Sequence, residues 1–190
     1  GSIVEQLTKE KPVYNLDPVL TYDYMNCCDR IPQIKTTEKY LILYAYAGRI
    51  SNDEANWIAE YAKKKNLKVY AIGGIQKCAN LFIDCLPFEV LAYFSNAEEV
   101  ITDTFHGSIF SVITHRPFTT LIRKSVGNSY GNEEKLGDLL KRLNLTERMT
   151  TEIKDVENIN KQLIDYRTVD IILQRQRKIA REYLQKNIEN

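Results

Sequence analysis

Between residues 40 and 122 the apolar positions of the chain switch repeatedly between unbroken runs and helical spacing. Residues 40–47 (YLILYAYA) are continuously apolar and aromatic, the pattern of a strand buried on both faces as in a parallel sheet, and Gly48 ends the run. Ser51 then stands as the cap of a helix whose apolar positions Ala55, Ile58, Ala59 and Ala62 recur at helical spacing. Lys63, Lys64 and Lys65 fall in its last turn, where the helix dipole favours cations. Residues 67–72 predict a second strand, and 87–94 (PFEVLAYF) a helix opened by proline. A short strand at 100–102, a buried helix at 105–114 stopped by Arg116-Pro117, and a strand at 118–122 follow.

Strands and helices alternating at this spacing predict an α/β fold, a Rossmann-like parallel sheet with right-handed crossovers and helices on both faces. At 190 residues the chain is long enough for one good core, so a single domain over residues 38–190 is expected, ending in a long terminal helix. Residues 3–37 show no sustained period beyond a patch at 13–20. Residues 1–37 read as a lead-in wrapping the domain, with Asp17-Pro18 as a turn and Gly1-Ser2 as a cloning scar. The tail, residues 155–190, predicts two helices. The second is capped by Asp165 or Thr168 and carries an apolar stripe of Val169, Ile172, Ile179 and Leu184, which either docks another domain or subunit or closes this sheet.

Charge narrows the class of partner. Lys and Arg number 26 against 25 Asp and Glu, so no global field draws the chain to nucleic acid or an anionic membrane, and anion binding has to be local. No apolar run reaches the roughly 20 residues of a membrane span. Cys27, Cys28, Cys78 and Cys85 fit no zinc spacing, and the expectation is a reduced, cytoplasmic protein without a zinc site.

In an open parallel sheet ligands bind at the carboxyl ends of strands, which selects the loops after residues 44–47, at Gly73-Gly74, at 103–107 and at 123–132. The third is the richest. Its sequence DTFHGS places backbone amides, the hydroxyls of Thr104 and Ser108, and the imidazole of His106 between a strand end and a helix start, and Gly107 permits close approach of a ligand. Histidine titrates near pH 6.5 and so can donate a proton at physiological pH; on residue chemistry alone His106 either does so or packs the helix start, and Thr104 and Ser108 are also ordinary capping residues. His115 reads as a helix-end surface residue. Arg123, Lys124 and Lys135 surround the loop after the last strand and can complete a cationic pocket or simply be solvated. Gly73-Gly74 lacks the spaced glycines of a dinucleotide loop and reads as a tight turn.

The segment ITDTFHGSIFSVITHRPF, residues 101–118, resembles the most diagnostic stretch of the polysaccharide pyruvyl transferases, a strand followed by TDSFHG and a helix ending in KPF, with Thr104 at the serine position. Asp17-Pro18-Val19-Leu20 resembles that family's entry into its second half, Pro87-Phe88-Glu89-Val90-Leu91 its helix before an asparagine-alanine turn, here Asn96-Ala97, and Ile164-Asp165-Tyr166 its closing piece. Lys135-Leu136-Gly137-Asp138-Leu139-Leu140 with Leu145 and Arg148 resembles its DLL segment. Lys135 replaces an arginine there and loses bidentate geometry, and Ala180 replaces a common serine.

The resemblance implies the carboxyl-terminal, donor-binding half of an enzyme with two facing domains of the GT-B type, whose amino-terminal domain is missing from this chain. It implies transfer of the pyruvyl group of phosphoenolpyruvate onto a glycan or lipid-linked sugar, giving a pyruvate ketal on an exopolysaccharide or other cell-surface polymer. His106 would be the general acid or a phosphate ligand, Thr104, Gly107 and Ser108 would bind phosphate oxygens, and Arg123 would neutralise donor charge. Two rivals stand beside it: the donor half of a nucleotide-sugar glycosyltransferase, with Glu89 or Glu98 as its ribose carboxylate, and a non-catalytic binding module.

Overall fold

A computed structural model describes residues 2–9, 11–124 and 131–188. Six parallel strands form one sheet: β1 (Tyr40–Tyr44), β2 (Lys68–Ile72), β3 (Leu81–Phe82), β4 (Glu99–Thr102), β5 (Phe118–Leu121) and β6 (Met149–Thr150), in the order β3-β2-β1-β4-β5-β6. That is the order of a doubly wound dinucleotide-binding sheet, whose direction of winding reverses between β1 and β4.

Helices cover both faces, as the alternation predicted. Even-numbered residues of β1, β4 and β5 (Tyr40, Ile42, Val100, Phe118) point into a core closed by α5 (Pro87–Asn96), α6 (Phe105–Ile113), α7 (Glu133–Arg142) and α9 (Tyr166–Ile188). Odd-numbered ones (Leu41, Leu43, Ile101, Leu121) meet α4 (Asn52–Lys64) and α8 (Val156–Lys161). Fully burying one aliphatic side chain in such a core stabilises the fold by about 1.5–3 kcal/mol. The continuous apolar run of β1 is therefore what two-sided burial requires.

Several elements depart from the sequence reading. β1 ends at Tyr44 rather than residue 47, because beyond it the chain leaves the sheet and Gln76 Nε2 donates to the carbonyls of Ala45 and Tyr46 (3.0 and 3.2 Å). There the Gly73-Gly74 turn presses on the loop. Gly73 sits at φ +85°, and a Cβ at Gly74 would collide with the backbone of Ala47 and Tyr46. β3 and β6 were not expected; each has two residues, too few to show a period. In α4, Tyr61 is buried where Ala59 was expected, and Ala59 faces solvent.

The lead-in carries α1 (Ser2–Thr8), α2 (Pro18–Thr21) and α3 (Tyr24–Cys27). Asp17-Pro18 is the start of α2: Asp17 Oδ1 accepts from Val19 N–H at 3.0 Å and proline occupies the first turn. Leu16 and Leu20 are buried in the core, and Arg177 of α9 donates to the Leu20 carbonyl at 2.9 Å. On α9 the packed stripe is Val169, Leu173 and Ala180; Ile179 and Leu184 are exposed, so two of the four predicted positions lie off it. Asp165 rather than Thr168 caps this helix, accepting from Thr168 N–H at 3.2 Å. No described helix is long and apolar enough to cross a membrane.

Candidate functional site

The carboxyl ends of β1, β4 and β5 meet at the winding reversal, and the turn from β4 into α6 lies in the middle. Thr102 Oγ1 donates to the Tyr44 carbonyl at 2.7 Å and accepts from Thr104 N–H at 3.0 Å, which ties this turn to β1. Thr104 is the N-cap of α6: its Oγ1 accepts from Gly107 N–H at 2.9 Å and lies 3.1 Å from Thr102 Oγ1. Ser108 Oγ donates to the Thr104 carbonyl at 3.1 Å and bonds Thr120 Oγ1 at 2.9 Å. A Cβ on Gly107 would run into Thr102 Oγ1 and the Tyr44 ring. Thr104, Gly107 and Ser108 are thus turned into the protein with their polar groups engaged, which gives each a structural role in holding α6 against β1 and β4.

His106 is different. It is the second residue of α6, half-buried, edge-to-face with Phe105 (5.6 Å between ring centroids) and beside Phe110 (6.0 Å). Among the described residues no group hydrogen-bonds its imidazole. The amides of Phe105 and His106 belong to the first turn, whose N–H groups have no intrahelical acceptor and concentrate positive potential. Lys135, in the first turn of α7, places its ammonium 4.0 Å from the centroid of the ring of Phe105, the residue before His106.

Arg123, just beyond β5, is held from behind. Its Nη1 and Nη2 donate to the two carboxylate oxygens of Glu54 at 2.6 and 3.2 Å. Glu54 is also the third residue of α4, where it completes a capping box: Ser51 N–H donates to its Oε2 at 2.8 Å, and Ser51 Oγ accepts from its own N–H. Burial pushes the Glu54 carboxyl up, but its bonds to Arg123 and Ser51 outweigh that and hold it below the usual carboxylate range. Asp103, fully buried, lies 4.0 Å from Arg123 Nε, and neither of its oxygens has a hydrogen-bond partner among the described residues. Burial pushes its carboxyl above the usual range, only partly countered by Arg123 and Arg49. Asn132 pins the loop after β5, donating from Nδ2 to the carbonyls of Asp103 (2.7 Å) and Leu121 (3.2 Å) while its Oδ1 accepts from Arg123 N–H. Residues 125–130 of that loop lie outside the described residues.

Of the residues chosen from sequence, His106, Lys135 and Arg123 therefore stand along one edge of the sheet, while Thr104, Gly107 and Ser108 form the scaffold beneath. Sequence reasoning missed Asp103, Glu54, Asn132 and Arg49. The one signal available was the S-x-x-E spacing of Ser51 and Glu54. His115 is a helix-end surface residue as expected, at φ +53°, stacked on Tyr166 and 2.9 Å from Asp170. Glu89 caps α5 through Leu86 N–H (2.7 Å), and Glu98, at the opposite edge of the sheet, pairs with Lys39 (3.5 Å). Glu98 thus lies at the amino end of β4, away from the carboxyl ends where a ribose carboxylate belongs, and Glu89 is engaged as a cap. Among the described residues no group of three or more His, Cys, Asp or Glu is placed to hold a metal.

No match was found among curated protein sequences. Among solved structures the chain is similar to a UDP-GlcNAc 2-epimerase from Neisseria meningitidis bound to UDP-GlcNAc, at 13% identity and TM-score 0.49 over 80% of this chain and 46% of that one. It is also similar to the glycosyltransferase SnogD from Streptomyces nogalater, at 10% identity and TM-score 0.39 over 79% and 41%. The chain spans less than half the length of each. The family model described as polysaccharide pyruvyl transferase matches residues 5–125, a stretch that takes in the lead-in, β1 to β5 and the α6 turn bearing His106, and the chain belongs to that family.

Proposed function

We propose that this chain is the donor-binding half of a pyruvyltransferase that moves the pyruvyl group of phosphoenolpyruvate onto two hydroxyls of a sugar destined for a cell-surface polysaccharide. The observation that carries the reading is the position of His106: solvent-reachable, unpartnered by described residues, at a helix start beside the winding reversal of the sheet. Protonation of the donor's methylene carbon makes a methyl group and leaves an oxocarbenium-like centre at the neighbouring carbon. His106 supplies that proton. One acceptor hydroxyl attacks the centre and returns its proton to His106; the second attacks as phosphate departs and takes the other proton. The balance is one ketal and one inorganic phosphate per phosphoenolpyruvate.

Negative charge on the donor meets the first-turn amides of α6, the Lys135 ammonium and the guanidinium of Arg123. Thr104, Gly107 and Ser108 serve by fixing the turn that aims His106. A facing amino-terminal half completes the cleft and selects the acceptor, so the chain alone binds donor without turning it over. The test is transfer from phosphoenolpyruvate to lipid-linked or nucleotide-linked glycans by the full-length enzyme, with and without His106→Gln. Undiminished turnover in the variant defeats the role given to His106, and tight binding of a nucleotide sugar with none of phosphoenolpyruvate defeats the donor assignment.

A further inference from the structure

The carboxyl ends of β5 and β6 border an open groove of about 560 Å³ lined by Arg49, Ile122, Arg123, Lys124, Thr151 and Glu152. His106 and Lys135 are not among its lining residues. Three cations face it, Arg49, Arg123 and Lys124. Three carboxylates oppose them: Glu152 on the rim, with Glu54 and Asp103 behind Arg123. With all six of these groups ionised their charges cancel, which leaves them little net attraction for a dianion. One of the three carboxylates is unlike the others. Glu54 is tied by its bonds to Arg123 and Ser51, and Glu152 is exposed, whereas Asp103 is fully buried with both oxygens unpartnered by described residues.

We propose that this groove is a seat for a dianionic phosphate group, and that Asp103 takes up a proton when the seat is filled. The charged groups around Asp103 are Arg123 from the loop after β5, Arg49 from the loop after β1 and Glu54 from α4; the first two stabilise its anion and the third opposes it. A dianion drawn to Arg49 and Arg123 weakens the two interactions that keep Asp103 ionised, while burial and Glu54 still disfavour that form. Filling the seat and protonating Asp103 therefore help one another. Because linkage is reciprocal, affinity for the dianion is greatest when Asp103 is already protonated, and falls by up to tenfold per pH unit as pH rises between the pKa values of the empty and filled states. The proposal rests on the pyruvyltransferase reading only in placing an anion beside Arg123; the chemistry of the seat is the same for phosphoenolpyruvate, a nucleotide diphosphate sugar or a lipid diphosphate.

Inorganic sulfate is the probe, since it remains a dianion across the working range and any pH dependence belongs to the protein. Binding is measured by calorimetry from pH 5 to 8 on the His106→Gln chain, which removes imidazole titration at the neighbouring helix start. The expected result is an affinity that falls as pH rises, net proton uptake in buffers of different ionisation enthalpy, and at least a fivefold loss in Arg123→Ala and in Lys124→Ala. Asp103→Asn should hold the low-pH affinity at every pH. Should that variant fail to fold, the proton uptake of the His106→Gln chain still decides. An affinity independent of pH, an unchanged slope in Asp103→Asn, or full binding in both cation variants overturns the proposal. Displacement of sulfate by phosphoenolpyruvate assigns the seat to the donor, whereas displacement only by a nucleotide sugar or a polyprenyl diphosphate keeps the seat and refutes the donor assignment. Displacement by none of the three refutes the phosphate assignment.

Discussion

Strand β4 has a buried carboxylate at each end, and the two are treated in opposite ways. Glu99, its first residue, gathers three donors on Oε2, Lys65 Nζ at 2.8 Å, Tyr61 OH at 3.0 Å and Asn160 Nδ2 at 3.1 Å, while its Oε1 is buried without a partner among the described residues. Asp103, just beyond its last residue, gathers none among the described residues. Both side chains lie on the face covered by α4, which runs back against the strands. Its last turn is lysine-rich, as the dipole favours, and Lys65 just after it serves Glu99; its first turn brings Glu54 to compete with Asp103 for Arg123. An unsatisfied buried polar group costs about 1–3 kcal/mol; three donors on one oxygen offset that cost at Glu99, whereas no described hydrogen bond offsets it at Asp103.

The widest separation between the edges is in catalysis. In the full-length enzyme His106→Gln should lower turnover by about 10²–10⁴, the range for loss of a general acid, with denaturation midpoints nearly unchanged because the ring is half-exposed and makes no described hydrogen bond. Steady-state kinetics beside a thermal melt measure both. A parallel fall in stability would move His106 from the chemistry to the scaffold.

At the amino edge the signature should reverse. Glu99→Ala strands Lys65, Tyr61 and Asn160, though Lys65, 36% exposed, recovers some solvation from water. The loss should be about 2–3 kcal/mol, or roughly 5–10 °C in melting temperature, with turnover within about twofold of the parent. A catalytic defect larger than the stability loss explains would mean that the two edges are not separable.

Part of this contrast was legible in the sequence. The apolar run of β1, the proline that opens α5 and the apolar positions of α6 are local signals, so the sheet's centre and the place of His106 followed from them. Ser51 was recognisable as a cap for the same reason. That Glu54 also holds Arg123, 69 residues away, was not, because nothing local sets the distance between a helix start and a strand end six elements later. The same holds for Asn132 on the Asp103 carbonyl. Capping residues near a ligand loop look alike in sequence whether their hydroxyls face in or out, so the inward engagement of Thr104 and Ser108 was not legible. On α9 the stripe was displaced because Ile179 and Leu184 satisfy the spacing but lie where nothing described covers them.

Asp103→Asn tests the unstable side directly. A carboxyl whose pKa is raised on folding contributes most below its ordinary value, and that contribution is lost as pH climbs through the raised value. The amide carries no such loss. The variant should therefore be more stable than the parent at pH 7, by about 1 kcal/mol, with the gain shrinking toward pH 4. Urea melts at the two pH values read this difference. If the variant is the weaker protein at pH 7, then Arg123 depends on Asp103 more than burial opposes it, and the contrast with Glu99 disappears.

The smallest effect expected is at Thr104, and it asks whether the α6 turn belongs to the scaffold or to the ligand. Thr104→Ser keeps the oxygen that accepts from Gly107 N–H and bonds Thr102, and serine caps at least as well as threonine. It deletes one buried methyl group, worth about 0.8 kcal/mol when fully buried, so the net loss should be about 0.5 kcal/mol. Thr104→Ala removes the cap as well and should cost about 2 kcal/mol. In neither case should the KM for donor rise beyond what destabilisation explains, because the hydroxyl points into the protein. A tenfold rise in that KM for Thr104→Ala at full folded population would show that the cap exchanges Gly107 for a phosphate oxygen when donor arrives. The turn at the carboxyl edge would then share with Asp103 the property that sets this edge apart from Glu99: polar groups whose best partner is the ligand.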